Sequence, residues 1–240
     1  MPYLSNYSAA ILNGCTNFVR TLLPHDCLLC GAPSGNFSLC PACLADLPWH
    51  HVPQCPRCAL PTTDGMLCGH CLREPPAFDR TLALFGYACP VDALIQALKY
   101  GHQLALTQTL AAPLAQRAAT MPRPEVLIAM PLHPLRLSER GFNQALELAK
   151  IIARQLDIPL LPQGAERIRA TAPQVGLPWK KRSVNLRGAF ASTLDLTGKH
   201  VALVDDVMTT GASLHELALA LRRQGAKEIS AWVVARTVGN

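Results

Sequence analysis

The fold of this 240-residue chain is written most plainly in Val201-Ala202-Leu203-Val204-Asp205-Asp206-Val207-Met208-Thr209-Thr210-Gly211-Ala212-Ser213. Four apolar residues in a row suit a strand of a parallel sheet, which is covered on both faces and so shows no polar alternation. Two adjacent carboxylates close that strand, predicted over Val201–Val204. A Thr-Thr-Gly bend follows, and then a helix predicted from Ser213 to Gln224. In open α/β sheets ligands sit at the carboxyl ends of the strands, where such a bend lies.

The chemistry of the bend follows from its residue types. Gly211 permits positive φ and close backbone approach. The N–H groups of Thr209, Thr210, Gly211, Ala212 and Ser213 can then converge on an anion at the positive end of the helix, with three hydroxyls as further donors. Asp205 and Asp206 repel a phosphate. As acceptors they suit the vicinal hydroxyls of a ribose. The plainer alternative is an ordinary strand-end turn with a helix cap at Ser213.

The same α/β rhythm extends on both sides. Strands are predicted over Thr81–Tyr87, Val126–Met130 and Ile229–Val234, and helices over Val91–Tyr100, Leu104–Ala119 and Asn143–Leu156. Strand, helix and strand at this spacing make right-handed βαβ units. The stretch Gln163–Arg187 has no period, two prolines and six basic residues, and a loop of that length inside a compact domain tends to be functional.

Upstream the chain changes character. All ten cysteines lie in the first 89 residues. Eight of them form Cys27-x2-Cys30-x9-Cys40-x2-Cys43 and Cys55-x2-Cys58-x9-Cys68-x2-Cys71, one spacing displaced by 28 residues. This is a duplicated metal module, and zinc held tetrahedrally by four thiolates is its expected occupant. The spacing admits either sequential or interleaved pairing. Four thiolates leave no open coordination position, so the two ions are expected to be structural. The acidic balance and few aromatics (Phe37, Trp49, Phe78) weigh against a ribbon that grips nucleic acid. Cys15 and Cys89 fall outside the pattern and are expected to pack as small apolar residues. Glu74-Pro75-Pro76 reads as a stiff connector. Three segments result: an N-terminal helix over 1–24, a double zinc ribbon over 25–75 and an α/β domain over 76–240.

Composition narrows the function classes. Half of the residues are hydrophobic and 16% are charged, which excludes disorder. No apolar run reaches the ~20 residues that span a bilayer. The first basic residue, Arg20, leaves no charged leader region. A cytoplasmic protein without membrane insertion is expected. Residues 1–89 hold four Lys+Arg against five Asp+Glu, and residues 90–240 hold 18 against 11. The anionic ligand therefore belongs with the second part.

At this point a resemblance becomes definite. Val204-Asp205-Asp206-Val207-Met208-Thr209-Thr210-Gly211 resembles the phosphoribosyl-pyrophosphate (PRPP) motif of type I phosphoribosyltransferases. Lys99-Tyr100, Arg140-Gly141-Phe142-Asn143-Gln144, Arg169-x-Thr171-x2-Gln174 and Arg182-x2-Asn185-x3-Ala189-Phe190 are similar to the ComF family, with its double zinc ribbon. The resemblance implies a type I phosphoribosyltransferase-like parallel sheet, PRPP as ligand and Mg2+ bound with it. It further implies a role in the uptake or use of single-stranded DNA, with DNA-uptake proteins as partners. Asp205 and Asp206 would hold the diol and offset charge developing on the ribose. Pro131, Leu132, His133 and Pro134 fall where such enzymes bind pyrophosphate. Arg140 is the preferred cation there over Arg136, a solvated helix-start residue being the alternative. Lys99 is placed equally well at the site or on the surface. Arg167, Arg169, Lys180, Lys181, Arg182 and Arg187 correspond to a mobile flap. They suit a nucleic-acid track with Trp179 for stacking, or plain solvated surface. The alternative function is an active phosphoribosyltransferase of nucleotide or nucleobase metabolism, releasing pyrophosphate to an acceptor that nothing in the chain identifies.

Overall fold

A computed structural model of the protein describes residues 25–35, 37–169 and 186–238. The expected N-terminal helix, Cys15, Thr171, Gln174, Trp179, Lys180, Lys181, Arg182 and Asn185 lie outside the described residues. The chain forms two compact units, Met1–Leu47 and Pro48–Asn240.

The first unit contains β1 (His25–Asp26) paired antiparallel with β2 (Pro33–Gly35), then α1 (Pro41–Ala45). The second opens with α2 (Gly69–Arg73) on its own cysteine turns. It continues as β3 (Arg80–Gly86), α3 (Val91–Tyr100), α4 (Ala105–Ala118), β4 (Val126–Ala129), α5 (Pro134–Arg140), α6 (Gln144–Leu156), β5 (Glu166–Arg167), β6 (Phe190–Ala191), β7 (His200–Met208), α7 (Ala212–Arg223) and β8 (Glu228–Arg236).

Four of these strands form one sheet in the order β3-β8-β7-β4, and every pairing is parallel. Sequence explains the order of layers. β4 and β8 are apolar or small at nearly every position and buried along their length, as strands covered on both faces must be. α4 and α6 pack on each other, α4 against β3 and β8, and α6 against β4 and β7. α6 can do this because Leu148, Ile151 and Ile152 recur at helical spacing on its buried side. Asn143 starts that helix by accepting from the N–H groups of Ala145 (3.0 Å) and Leu146 (3.4 Å).

Three expectations need correction. β7 does not stop at Val204; it runs through both carboxylates to Met208. Its partner β8 continues beside it, pairing Asp205 with Val233 and Met208 with Arg236, and a neighbouring ladder overrides the poor strand propensity of Asp. The stretch after Pro131 is not loop throughout, because α5 begins at Pro134. Proline suits the first helical position, and Gly141 (φ 80°) takes the left-handed conformation that ends the helix. Cys89 is exposed rather than packed, lying in the turn between β3 and α3.

Candidate functional site

The cysteine turns repeat each other in backbone as well as spacing. In the first, Cys27 N–H donates to Ala32 O (2.8 Å) and Gly31 N–H to Cys27 O (2.8 Å). In the second, Cys55 N–H donates to Leu60 O (2.8 Å) and Ala59 N–H to Cys55 O (2.9 Å). Gly31 and Ala59, 28 residues apart, both have positive φ (72° and 56°). The sulfurs of Cys40 and Cys68 cap α1 and α2, accepting from the N–H groups of Cys43 and Cys71 at 3.5 Å.

Pairing is sequential. Cys27, Cys30, Cys40 and Cys43 gather at one centre and Cys55, Cys58, Cys68 and Cys71 at another, each set with its ligand atoms within 4.8 Å of one another. Sulfurs about 2.3 Å from a central zinc form a tetrahedron with edges of about 3.8 Å. The Cys30–Cys40 and Cys58–Cys68 sulfur separations are 3.7 Å and 3.6 Å. Both sets fit a structural zinc ion, and none of these cysteines is in a disulfide.

The second constellation lies where β4 leaves the sheet. β4 ends at Ala129, opposite Val204, and Met130 N–H donates to Val204 O (2.8 Å). Beyond that level, among the described residues, β7 keeps β8 as its ladder neighbour, and Asp205 and Asp206 lie on this part of the strand. Asn143 Nδ2 donates to Met130 O (3.0 Å) and so ties the start of the Pro131–Pro134 stretch to α6. Within that stretch His133 caps α5, its Nδ1 accepting from Leu135 N–H (3.3 Å). Pro131 and Leu132 form the bare connection.

The two carboxylates differ in environment although both are buried (8% and 4% exposed). Asp206 pairs with Lys99 Nζ at 2.5 Å. Burial pushes its carboxyl upward, but Lys99 and the Gln144 side chain outweigh that and hold it below the usual range. Asp205 makes no ion pair among the described residues. Burial first, then the neighbouring charge of Asp206, raises its carboxyl well above the ordinary value. Its Oδ1 accepts from Asp206 N–H (2.9 Å). Lys99 is disfavoured by burial, yet the two carboxylates keep it charged.

Arg140 reaches the same cluster. It donates to Gln144 Oε1 at 2.5 Å and lies 5.2 Å above the Tyr100 ring. Two stretches about forty residues apart, Lys99-Tyr100 and Arg140–Gln144, thus meet at Asp206, and Lys99 lies in this cluster rather than on the open surface. Arg136 does not join them; it pairs with Glu139 (3.7 Å) on an exposed face of α5.

At the far end of β7 the chain bends into α7. Gly211 (φ 81°) precedes α7, and Thr210 Oγ1 accepts from Ala212 N–H (3.3 Å). A Cβ on Gly211 would come within 2.6 Å of Met208 Cε, so the bend folds back on its own strand. Thr209 is exposed, and Thr210 and Ser213 are half-buried. Beside the bend lies a cavity of about 710 Å3, walled by Phe78, Met208 and Gly211 on one side and Cys58, Cys71 and Arg236 on the other.

The basic stretch divides. Arg167 in β5 is close enough to Asp205 and Arg136 to feel both charges, with burial the main cause of its lowered pKa. Arg169 turns instead to the Arg187 carbonyl (3.0 Å). That bond, Ile168 N–H to Ala189 O (2.9 Å) and the β5–β6 pairing bring the two ends of segment 170–185 together. Lys180, Lys181 and Arg182 lie in that segment, outside the described residues. Sequence reasoning missed Arg236. The signal was a lone cation ending an apolar strand, placed by parallel register beside Met208.

This chain is similar to known proteins. Residues 18–72 match the double zinc ribbon domain and residues 143–238 the phosphoribosyl transferase domain. DNA utilization protein YhgH of Escherichia coli (strain K12) is 34% identical over 225 residues, covering 90% of this chain and 99% of that protein. Competence protein F of Haemophilus influenzae is 39% identical over 178 residues, covering 70% of this chain and 78% of its own. Among solved structures, a purine phosphoribosyltransferase from Pyrococcus horikoshii aligns with 54% of this chain and 82% of its own, at 22% identity and a TM-score of 0.35.

Proposed function

The chain belongs to the ComF family of competence and DNA-utilisation proteins, and from that premise we propose that it binds PRPP at the carboxyl end of β7 in its phosphoribosyltransferase domain and acts in the uptake or use of single-stranded DNA. One observation carries the reading: a carboxylate without an ion-pair partner among the described residues, Asp205, adjoins the Lys99–Asp206 pair on the strand that leads into the Thr209–Gly211 bend. The bend at Thr209–Ser213 takes the 5′-phosphate on its N–H groups, where the positive end of α7 favours negative charge.

Asp205 accepts from the ribose hydroxyls. Asp206, held charged by Lys99, shares that cation with the ligand's own oxygens. Arg140 and the Pro131–Pro134 stretch face the pyrophosphate, with Arg140 oriented by Gln144 and Tyr100. The oxygen donors of Asp205 and Asp206 also fit Mg2+, which is hard and prefers carboxylate and phosphate. Mg2+ would neutralise pyrophosphate as it binds. Arg167, close enough to Asp205 to feel its charge, adds a cation on that side of the site. No helix among the described residues is long and apolar enough to cross a membrane, and we place the protein in the cytoplasm with DNA as its partner polymer.

Calorimetric titration with PRPP, with and without Mg2+, tests the reading. One PRPP per chain is expected, tighter with Mg2+. Asp205 grips the diol as a carboxylate, and its pKa is raised. Affinity therefore falls as pH drops through that raised pKa, which lies above the ordinary carboxylate value of 3.8, and rises to a plateau once Asp205 is ionised. Asp205→Asn removes that pH step and weakens binding at neutral pH by about tenfold or more, the loss of one charged acceptor. Absence of PRPP binding at any pH sinks the proposal. Pyrophosphate release with pooled acceptors would place the protein among active transferases. Single-stranded oligonucleotides are expected to bind with affinity that falls as salt rises.

A further inference from the structure

Arg236 ends β8 and is 4% exposed. Its guanidinium is directed at backbone carbonyls: Nε donates to Cys58 O (2.9 Å), and Nη1 donates to Met208 O (3.1 Å), Thr237 O (2.7 Å) and Thr209 O. Cys58 is a ligand of the second cysteine cluster, and Met208 and Thr209 open the anion bend. These two places are about 150 residues apart in the chain, and this one side chain bonds both.

A buried cation is costly unless something of opposite charge faces it. Among the described residues no carboxylate pairs with Arg236. The groups whose thiolate charge it would feel are the sulfurs of Cys58, Cys71 and Cys68. A zinc ion bound by four thiolates leaves a net charge of about −2 on the site, which supplies the missing counter-charge. The second cluster thus offers Arg236 both a carbonyl and a field, and Arg236 passes that restraint to the carbonyls of the bend.

We propose that Arg236 is a positioning residue through which the second four-cysteine cluster holds the Thr209–Gly211 bend in its anion-binding shape. The zinc module is then a support of the ligand site and not only a replacement for a small core. The inference rests on the reading of the bend as an anion cradle, but the restraint itself is measurable without any ligand.

The test uses the full chain loaded with zinc. Amide exchange at Thr209–Ser213 and PRPP affinity are measured for wild type, Arg236→Met and Arg236→Lys, with zinc content per chain as a control. For Arg236→Met with two zinc ions retained, exchange at the bend is expected to rise about tenfold and PRPP affinity to fall about tenfold, the scale on which outer supports of a metal site act. Arg236→Lys restores part of both, because it returns the charge without the fork. Unchanged exchange in Arg236→Met overturns the proposal. Should Arg236→Met fail to fold, Cys68→Ser, at a half-buried ligand of the second cluster, takes its place; a bend that stays protected after that metal is lost overturns it equally. Should wild type not bind PRPP at all, the anion reading fails, and amide exchange still decides the role of Arg236.

Discussion

The two cysteine knuckles have the same spacing, the same backbone hydrogen bonds and the same left-handed residue, yet their surroundings differ. In the first, the residues inside the leading turn are Leu28 and Leu29, 48% and 38% exposed, and its Cys30 is exposed. In the second, the corresponding carbonyls of Pro56, Arg57 and Cys58 are used. Thr81 N–H donates to Pro56 O (3.0 Å), Thr81 Oγ1 to Arg57 O (2.6 Å) and Arg236 Nε to Cys58 O (2.9 Å). A CxxC turn leaves its carbonyls pointing outward, and what receives them decides whether the knuckle serves as a separate module or as part of a larger site. Here the first knuckle falls in the unit that ends at Leu47, and the second in the unit built on the sheet.

The largest effect expected from this difference concerns metal loss. Cys55→Ser, at a ligand that is 0% exposed, removes a site contributing on the order of 10 kcal/mol of folding energy. It should lower the Tm of the transition that unfolds the sheet, followed by near-ultraviolet circular dichroism. Cys27→Ser acts on the unit that ends at Leu47. If both substitutions shift one common transition equally, the knuckles are not used differently after all.

A middle-sized effect is expected at the buried Lys99–Asp206 pair. Lys99→Met leaves Asp206 buried without its cation, a loss of about 3 kcal/mol or more for a broken buried pair. Asp206 is ionised above its lowered pKa, so the pair stabilises the fold above the ordinary carboxylate pKa near 3.8 and stops doing so as pH falls through the lowered value. The penalty in Lys99→Met should therefore be largest at neutral pH and shrink in acid. Denaturant unfolding at several pH values measures this, and a pH-independent penalty would remove the pair from the account.

The smallest effect returns to the repeat. A Cβ on Gly31 meets nothing within 4 Å, so Gly31→Ala costs only its left-handed backbone, about 1 kcal/mol. Its counterpart Ala59 already sustains that conformation (φ 56°). Zinc retention against a competing chelator should drop by less than about tenfold, in line with that cost. A complete loss of metal would show that the two turns are not equivalent.

Much of this was legible from residue order. The cysteine duplication, the parallel strands and the Asp-Asp-x2-Thr-Thr-Gly bend each show in the chain because each is a local pattern: ligand spacing, apolar runs, turn chemistry. α5 was legible in principle, since Pro134 and Gly141 bracket it, but two prolines near its start read as loop. The reach of β7 was not legible, because only the β8 ladder keeps Asp205 to Met208 extended.

Local chemistry along the chain established that there would be two four-thiolate centres and a Thr-Thr-Gly bend after a parallel strand on an α/β frame. Long-range packing established the rest: that thiolates group 27-30-40-43 and 55-58-68-71, that Lys99 and Gln144 converge on Asp206 while Asp205 makes no ion pair among the described residues, and that Arg236 bonds a cysteine turn to the bend. The reason is physical. Turn and strand propensities act over a few residues, whereas the partner of a buried charge is chosen by which elements the folded sheet brings within hydrogen-bond reach.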